Sequence, residues 1–430
     1  MAKPFYSGTV LPPRLPVLQN DLTGMPASWM DRSSSLDSSN LDCRKDILAI
    51  DALRRDIAKS LGEWLKSKDD DDDDEPNDKI TIAIDMMHKY YHYLSEWEEH
   101  EMVQQLSSDV GCAAFTWESA LKVNTCCKIQ TSNSLGFERA NVIWNLTTFE
   151  ALKASKQETG TKPGWLEASK YLQNAASWLG HLLALLQELE KSQQQYQHQQ
   201  SHPQYSYSDM SPTFIRFWQA LLLAQAQQCC YESLSFGNRQ MQHAMAAKVA
   251  TAAVPLYNEV ELIFQKDKIL TKPFLSQCSN LVQTWVRFSR TWGVYMSCKA
   301  QYHQSQKDRK GQLWGQELAR LRIADEMFCS NLCTSDHTAM RELKFTLENQ
   351  LKQASLKKNN EGYNRTIPEG CDLRKIQGEQ LVKSEHPLSR LLGTKETKQI
   401  FQEKTISPSN GCSSLYSNGN GNSNSNDNDN

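Results

Sequence analysis

The chain has 430 residues, 39% of them hydrophobic, with 11 Trp, 14 Tyr and 13 Phe, enough for one large domain or two ordinary ones with real cores. No stretch approaches the roughly 18 apolar residues that a membrane-spanning helix needs. The net charge of −3 hides an asymmetry: residues 69–75 carry −7 and Asp427 with Asp429 carry −2, so the remainder carries +6. A mildly basic body suits an acidic partner or an anionic surface, but without a Lys/Arg run it gives no case for nucleic acid.

Residues 1–40 are rich in Pro, Ser and Leu without helical period and are expected to form an extended, poorly ordered arm. From about Asp42 to Trp64, Ile47, Ile50, Leu53, Ile57 and Leu61 recur at spacings of three and four, one apolar helix face. The acidic run then reads as a solvated insert over 68–77. A second helix is predicted over 79–100, with Ile80, Ile84, Met87, Tyr91 and Leu94 on one face, and another after Phe115-Thr116-Trp117. Further helices are predicted from Ser134 to about Lys156 and from Gly164 to Glu190. The Gln/His/Ser/Tyr composition of 191–211 cannot build a core and reads as a disordered insert.

Thr213 to Leu234, Met241 to Gln265, Lys272 to His303 and Gly311 to about Ala354 complete the predicted helices. Short connections make them antiparallel neighbours, and frequent Ala allows close approach, as in helical-hairpin solenoids. The segment from 358 to about 404 is irregular and must wrap back over the bundle to be stable. Residues 406–430 are Ser, Asn and Gly, a disordered tail.

No motif for catalysis emerges. The chain has no Gly-rich phosphate loop, no G-x-S-x-G and no H-E-x-x-H. Its 12 cysteines form no C-x-x-C pair and read as reduced thiols of a cytosolic protein, not as zinc ligands. His88 and His92 stand four apart on a helix, yet an ordinary amphipathic surface accounts for them better than a metal site. Cys230 has no cation near it in sequence to activate its thiol. The expectation is no enzyme, no metal, no cofactor and no small-molecule substrate. Ala2 is not the Gly that myristoylation takes, and the closing Asn426–Asn430 is no prenylation box. The protein is therefore expected to be soluble and cytoplasmic, reaching endosomal or other membranes only through a partner. The stripe Met241, Met245, Val249, Ala252 and Ala253 has core-face spacing, but Met-rich surface also makes adaptable binding patches. Spacing alone does not choose between them.

Several segments resemble, in order, the Bro-one domain of Alix-type adaptors. Cys43-Arg44 through Leu53-Arg54-Arg55 is similar to the family's first long helix, and Phe115 to Ala120 to its aromatic strand-edge segment. Leu135-Gly136-Phe137-Glu138-Arg139-Ala140 with Val142, Trp144 and Asn145 resembles its "FER" helix. Leu223-Ala224-Gln225-Ala226-Gln227 before Cys229-Cys230-Tyr231 resembles its "LAQAQ" helix. Ala300 to Ser305 and Glu317 to Leu321 resemble the "AxYHQS" and "EIARL" elements, and Asn360 to Lys383 the segment that wraps back.

The resemblance implies a mainly all-α, curved, tetratricopeptide-like helical solenoid with a small N-terminal β-sheet, spanning about residues 41–405. It also implies an apolar groove that binds the C-terminal amphipathic helix of an ESCRT-III subunit. Ala244-Met245-Ala246-Ala247-Lys248-Val249 matches the family's groove segment, which puts Met245 and Val249 at its two aliphatic positions. A family aromatic falls on Cys230 or Tyr231, and Met241 lies one turn before Met245. The implied role is a protein-binding adaptor in endosomal sorting or membrane remodelling. The alternative is a signalling scaffold of the pH-sensing or Rho-linked branches, with a different partner.

Overall fold

Apolar residues at spacings of three and four fix a series of helices that cannot bury their stripes alone and so stack in sequence. The computed structural model describes residues 52–61, 77–99, 115–118, 120, 129–132, 134–196, 209–235, 243–266, 279–332, 337–360 and 367–384. Two compact units divide the chain, Met1–His386 and Pro387–Asn430; every described residue belongs to the first. The expected arm, most of the acidic insert and the Ser/Asn tail lie outside the described residues, as do the N-terminal part of the first predicted helix and Met241.

The elements in chain order are α1 (52–61), α2 (Asn77–Glu99), β1 (Phe115–Glu118), β2 (Ile129–Ser132), α3 (Leu135–Ser155), α4 (Lys162–Tyr196), α5 (Pro212–Ser235), α6 (His243–Lys266), α7 (Ser279–Lys310), α8 (Trp314–Asn331) and α9 (Thr338–Asn360). From α3 to α9 each helix packs on the next. This is the mainly helical solenoid that the sequence implies. The small sheet is a two-stranded antiparallel ladder in which Phe115 faces Ser132 and Glu118 faces Ile129.

Two expectations need correction, while the helix expected after Phe115-Thr116-Trp117 lies outside the described residues; strand β2 follows it, where Ile129 and Thr131 supply β-branched residues for the ladder. The single helix expected over 311–354 is two, α8 and α9; Thr334, Ser335 and Asp336 between them are capping and turn formers that compete with helical hydrogen bonds. The insert expected over 191–211 is shorter. Helix α4 runs on to Tyr196, because Gln and Lys are good helix formers. Asp209 and Met210 are buried, the Asp209 carboxylate accepting from the Ala120 N–H at 2.7 Å.

Two devices hold the N-terminal half. Ser134 caps α3, its hydroxyl accepting from the Phe137 N–H. One turn in, the fully buried Glu138 accepts from Arg54 Nε at 2.9 Å, Tyr90 Oη at 2.7 Å and Trp117 Nε1 at 2.5 Å. One carboxylate thus ties α1, α2 and β1 to α3. A buried charge is tolerable here because both its oxygens are bonded and a guanidinium faces it. Beyond it the core is aromatic: Trp144, Phe214, Phe217, Trp218 and Trp285 interlock across α3, α5 and α7, Trp218 meeting Trp285 edge-on at 4.6 Å.

The C-terminal half is fastened by residues of the "YHQS" and "EIARL" resemblances. The Arg320 guanidinium donates to Asp308 Oδ2 at 2.8 Å, Gln301 Oε1 at 3.0 Å and the Arg374 carbonyl at 2.7 Å. Arg309 pairs with buried Glu317 at 2.6 Å. The Arg374 contact starts an extended strap, 373–384, which carries the chain back across α6, α5 and α4.

Candidate functional site

The strap sets the frame of the site. Its Glu379 N–H donates to the Lys248 carbonyl on α6 at 3.1 Å. On α5, Gln227 acts as a clamp: Nε2 donates to the Glu379 and Val249 carbonyls, both at 3.1 Å, and Oε1 accepts from the Leu381 N–H at 2.9 Å. On α4, Gln173 Oε1 accepts from the Lys383 N–H at 3.2 Å. Glutamines suit this work, since each offers donors and acceptors that stand in for a strand partner. Gly378 lies flat on α6; a Cβ there would come within 3.2 Å of Ala252 Cα and 3.3 Å of its nitrogen. Val382 is fully buried, while Leu381 is 41% exposed.

One helical turn from the strap crossing, on the same side, runs a parallel track. On α6, Lys248 lies under the strap and Met245, half-buried, sits one turn away. On α5, Gln227 lies under the strap and Cys230 one turn away. On α4, Gln173 gives way to Ser169 and then Leu166, the last 46% exposed. Helices α4 and α5 touch along this line: Ser169 Oγ lies 3.1 Å from Cys230 Sγ and donates to the Ala226 carbonyl at 2.9 Å. Leu166, Met245 and Leu381 thus offer apolar surface around a polar-bottomed floor. Lys248 and Glu379 pair across the rim at 3.3 Å, both substantially exposed, and Lys170 and Lys383 are exposed beside it.

The sequence-derived residues divide. Met245 is half-buried and Cys230 lies in the floor at 9% exposure, its thiol raised by burial against the opposing pull of Ser169. Val249 is fully buried, beneath the strap crossing, and Tyr231 is 1% exposed. Tyr231 turns inward, its hydroxyl 2.9 Å from His303 Nε2. His303 Nδ1 lies 3.1 Å from His243 Nδ1. Burial first, then Lys299 and His243, pull His303 down to about 3. Leu166 and Leu381 escape sequence reasoning because each is an isolated leucine. Leu381 reaches the site only through the strap, a contact across more than a hundred positions, and Leu166 through the packing of α4 on α5.

His88 packs on Trp178 at 5.5 Å between centroids, burial holding it down to about 4, while His92 pairs with Glu96 at 3.1 Å. Among the described residues no group of three or more His, Cys, Asp or Glu is placed to hold a metal ion. Burial pushes the Cys298 thiol up to about 12. No helix among the described residues is long and apolar enough to cross a membrane. What the arrangement can do is seat a helix crosswise over α4, α5 and α6, alongside the strap.

Residues 32–408 match the sequence model of the BRO1-like domain. The pH-response regulator protein palA/RIM20 of Pyricularia oryzae is 27% identical over 348 residues, 78% of this chain and 35% of that protein. The programmed cell death 6-interacting protein of Xenopus laevis is 24% identical over 80% of this chain and 36% of its own. The chain therefore spans about a third of the length of these relatives. Among solved structures, one described as an ALIX BRO1–CHMP4C complex superposes with a TM-score of 0.70 at 20% identity, covering 89% of this chain and 97% of that one. Another, described as the structural basis for endosomal targeting by the Bro1 domain, gives 0.63 at 16%, covering 92% and 97%.

Proposed function

The chain belongs to the BRO1-like domain family, and from that premise we propose that it is an adaptor whose track beside the strap docks the C-terminal amphipathic helix of an ESCRT-III subunit. The observation that carries this reading is the line of accessible apolar groups, Leu166, Met245 and Leu381, bounded by a rigidly clamped backbone. An amphipathic helix is the natural occupant of such a surface. The structural neighbour described as bound to CHMP4C supports the partner class.

Geometry sets what the partner must supply. Packed helices lie roughly 8–10 Å apart, and a helix rises about 1.5 Å per residue. Anchors falling on successive helices of the track are therefore about five to seven residues apart, nearer an i, i+7 spacing than i, i+4. Each buried aliphatic anchor contributes roughly 1.5–3 kcal/mol. Two or three, less the cost of association, leave about −8 kcal/mol, micromolar binding. A partner that polymerises compensates for that weakness by avidity. Lys170, Lys248 and Lys383 favour acidic residues on the partner's flank.

Titration of a peptide spanning the C-terminal helix of CHMP4C tests the reading. Micromolar binding that Met245→Asp removes, with unchanged helical circular dichroism, supports it. Absence of binding, or binding indifferent to Met245→Asp, removes it. The relatives named as pH-response regulators favour a second reading, the same track serving a signalling partner; it gains if the peptide fails while Met245→Asp still disrupts function in a pH-response assay.

A further inference from the structure

Helix α9 is the last of the described helices, and its two faces differ. Met340, Leu343, Leu347 and Ala354 are buried on the side that packs on α8 and α7. At about 100° per residue, Lys352 and Leu356 fall within about 20° of Phe345, and Glu348 within about 60°, on the opposite side of the helix. Phe345 is 69% exposed and Leu356 59%, the highest values for large apolar side chains among the described residues. The terminal helix of a solenoid ordinarily turns a polar face outward, which keeps the stack soluble. Here it presents an aromatic ring and a leucine about three turns apart on one line.

The charges on that line say what covers it. Arg341, Glu348 and Lys352 are all exposed and alternate in sign along the helix, so neither a uniformly anionic surface nor a uniformly cationic one is matched. A second, antiparallel α9 is. With a two-fold axis passing at about residue 350, Phe345 falls opposite the partner's Leu356 and Glu348 opposite the partner's Lys352, and the symmetry repeats both contacts. Glu348 and Lys352 lie to the same side of the Phe345 line, so the axis brings them together across one edge of the pair. In this register no two like charges among Arg341, Glu342, Glu348 and Lys352 oppose each other.

We propose that the outer face of α9 is a self-association surface, which pairs antiparallel with the same face of a second copy of this chain. Phe345 and Leu356 supply the apolar contact, and Glu348 with Lys352 fixes the direction and register. The face shares no residue with the track on α4, α5 and α6, so the two readings stand or fall separately.

Sedimentation velocity of the full chain over about 1–200 micromolar tests it. The chain passes from monomer to dimer with a dissociation constant of about 10–100 micromolar, as suits a small interface. Phe345→Asp abolishes the dimer and leaves the melting temperature unchanged, since that side chain lies outside the core. Glu348→Lys alone and Lys352→Glu alone each set like charges against each other and weaken association at least about tenfold. An equimolar mixture of those two variants brings opposite signs together at both edges and restores the dimer. Met245→Asp leaves association as it was. A monomer at every concentration, a dimer indifferent to Phe345→Asp, or a mixture no more associated than its two components overturns the proposal.

Discussion

Replacing Gln227, a fully buried side chain, by Ala removes the clamp. Three hydrogen bonds disappear, from Nε2 to the carbonyls of Val249 and Glu379 and from the Leu381 N–H to Oε1. Each is worth about 1 kcal/mol net, more where a buried backbone group is left bare. The strap loses about 2–4 kcal/mol of local stability. At 1.4 kcal/mol per tenfold, amide exchange at Glu379 and Leu381 accelerates between about thirtyfold and several hundredfold in hydrogen-exchange mass spectrometry. Exchange in the aromatic core around Trp218 stays within a few-fold, because local opening leaves that region folded. Binding of the CHMP4C peptide weakens in the same variant, since the track loses one wall. Unchanged exchange at 379–383 would refute the clamp. Fast exchange with undiminished peptide binding would refute the track's position beside the strap.

Met245→Asp and Val249→Asp should part company: the first loses the peptide and keeps its fold, while the second buries a carboxylate in a fully enclosed site and unfolds the domain, visible by circular dichroism. Leu166→Asp, at an exposed position on α4, should weaken the peptide at least about tenfold in a polarisation titration with melting temperature unchanged. Glu138→Gln should cost about 3–5 kcal/mol by urea unfolding, because Arg54 stays buried opposite a neutral amide. His88 and His303 are held neutral, their folded values lying below the unfolded 6.5. The unfolded chain then binds more protons below pH 6.5, so the stability present above it falls as pH drops toward the folded values. At pH 5 the loss is about 2 kcal/mol per histidine relative to pH 7; urea midpoints at the two pH values check it, and His303→Phe should flatten the profile.

The helices were legible because the solenoid is built from local, amphipathic stripes: Ile80, Ile84, Met87, Tyr91 and Leu94 announce α2 with no knowledge of its neighbours. The break between α8 and α9 escaped since one apolar period continues across it. The sheet, implied by the resemblance, escaped periodicity since β1 and β2 are four residues each, too short to show alternation. At the candidate site, resemblance found Met245 and periodicity found the stripe. Neither could tell that Val249 faces inward, because one helix carries both faces of the wall and the strap decides which residue is covered. Leu381 depends wholly on that long-range crossing, and Leu166 on the packing of α4 against α5. The motif residues Gln227, Gln301 and Arg320 were legible as a pattern, but their work as fasteners of the strap is visible only in three dimensions.

A stack held mainly by contacts between successive helices tends to behave as a one-dimensional chain, free to fray from its ends and to melt in pieces. The strap abolishes that freedom. By joining α8 to α6, α5 and α4 it closes the linear array into a loop of mutual dependence, so the later helices cannot peel away without surrendering bonds made in the middle. Such long-range closure should slow folding, since the strap can dock only after its four supports exist. It should also make the domain unfold as one cooperative body rather than helix by helix, and hold the track at a fixed width until it does.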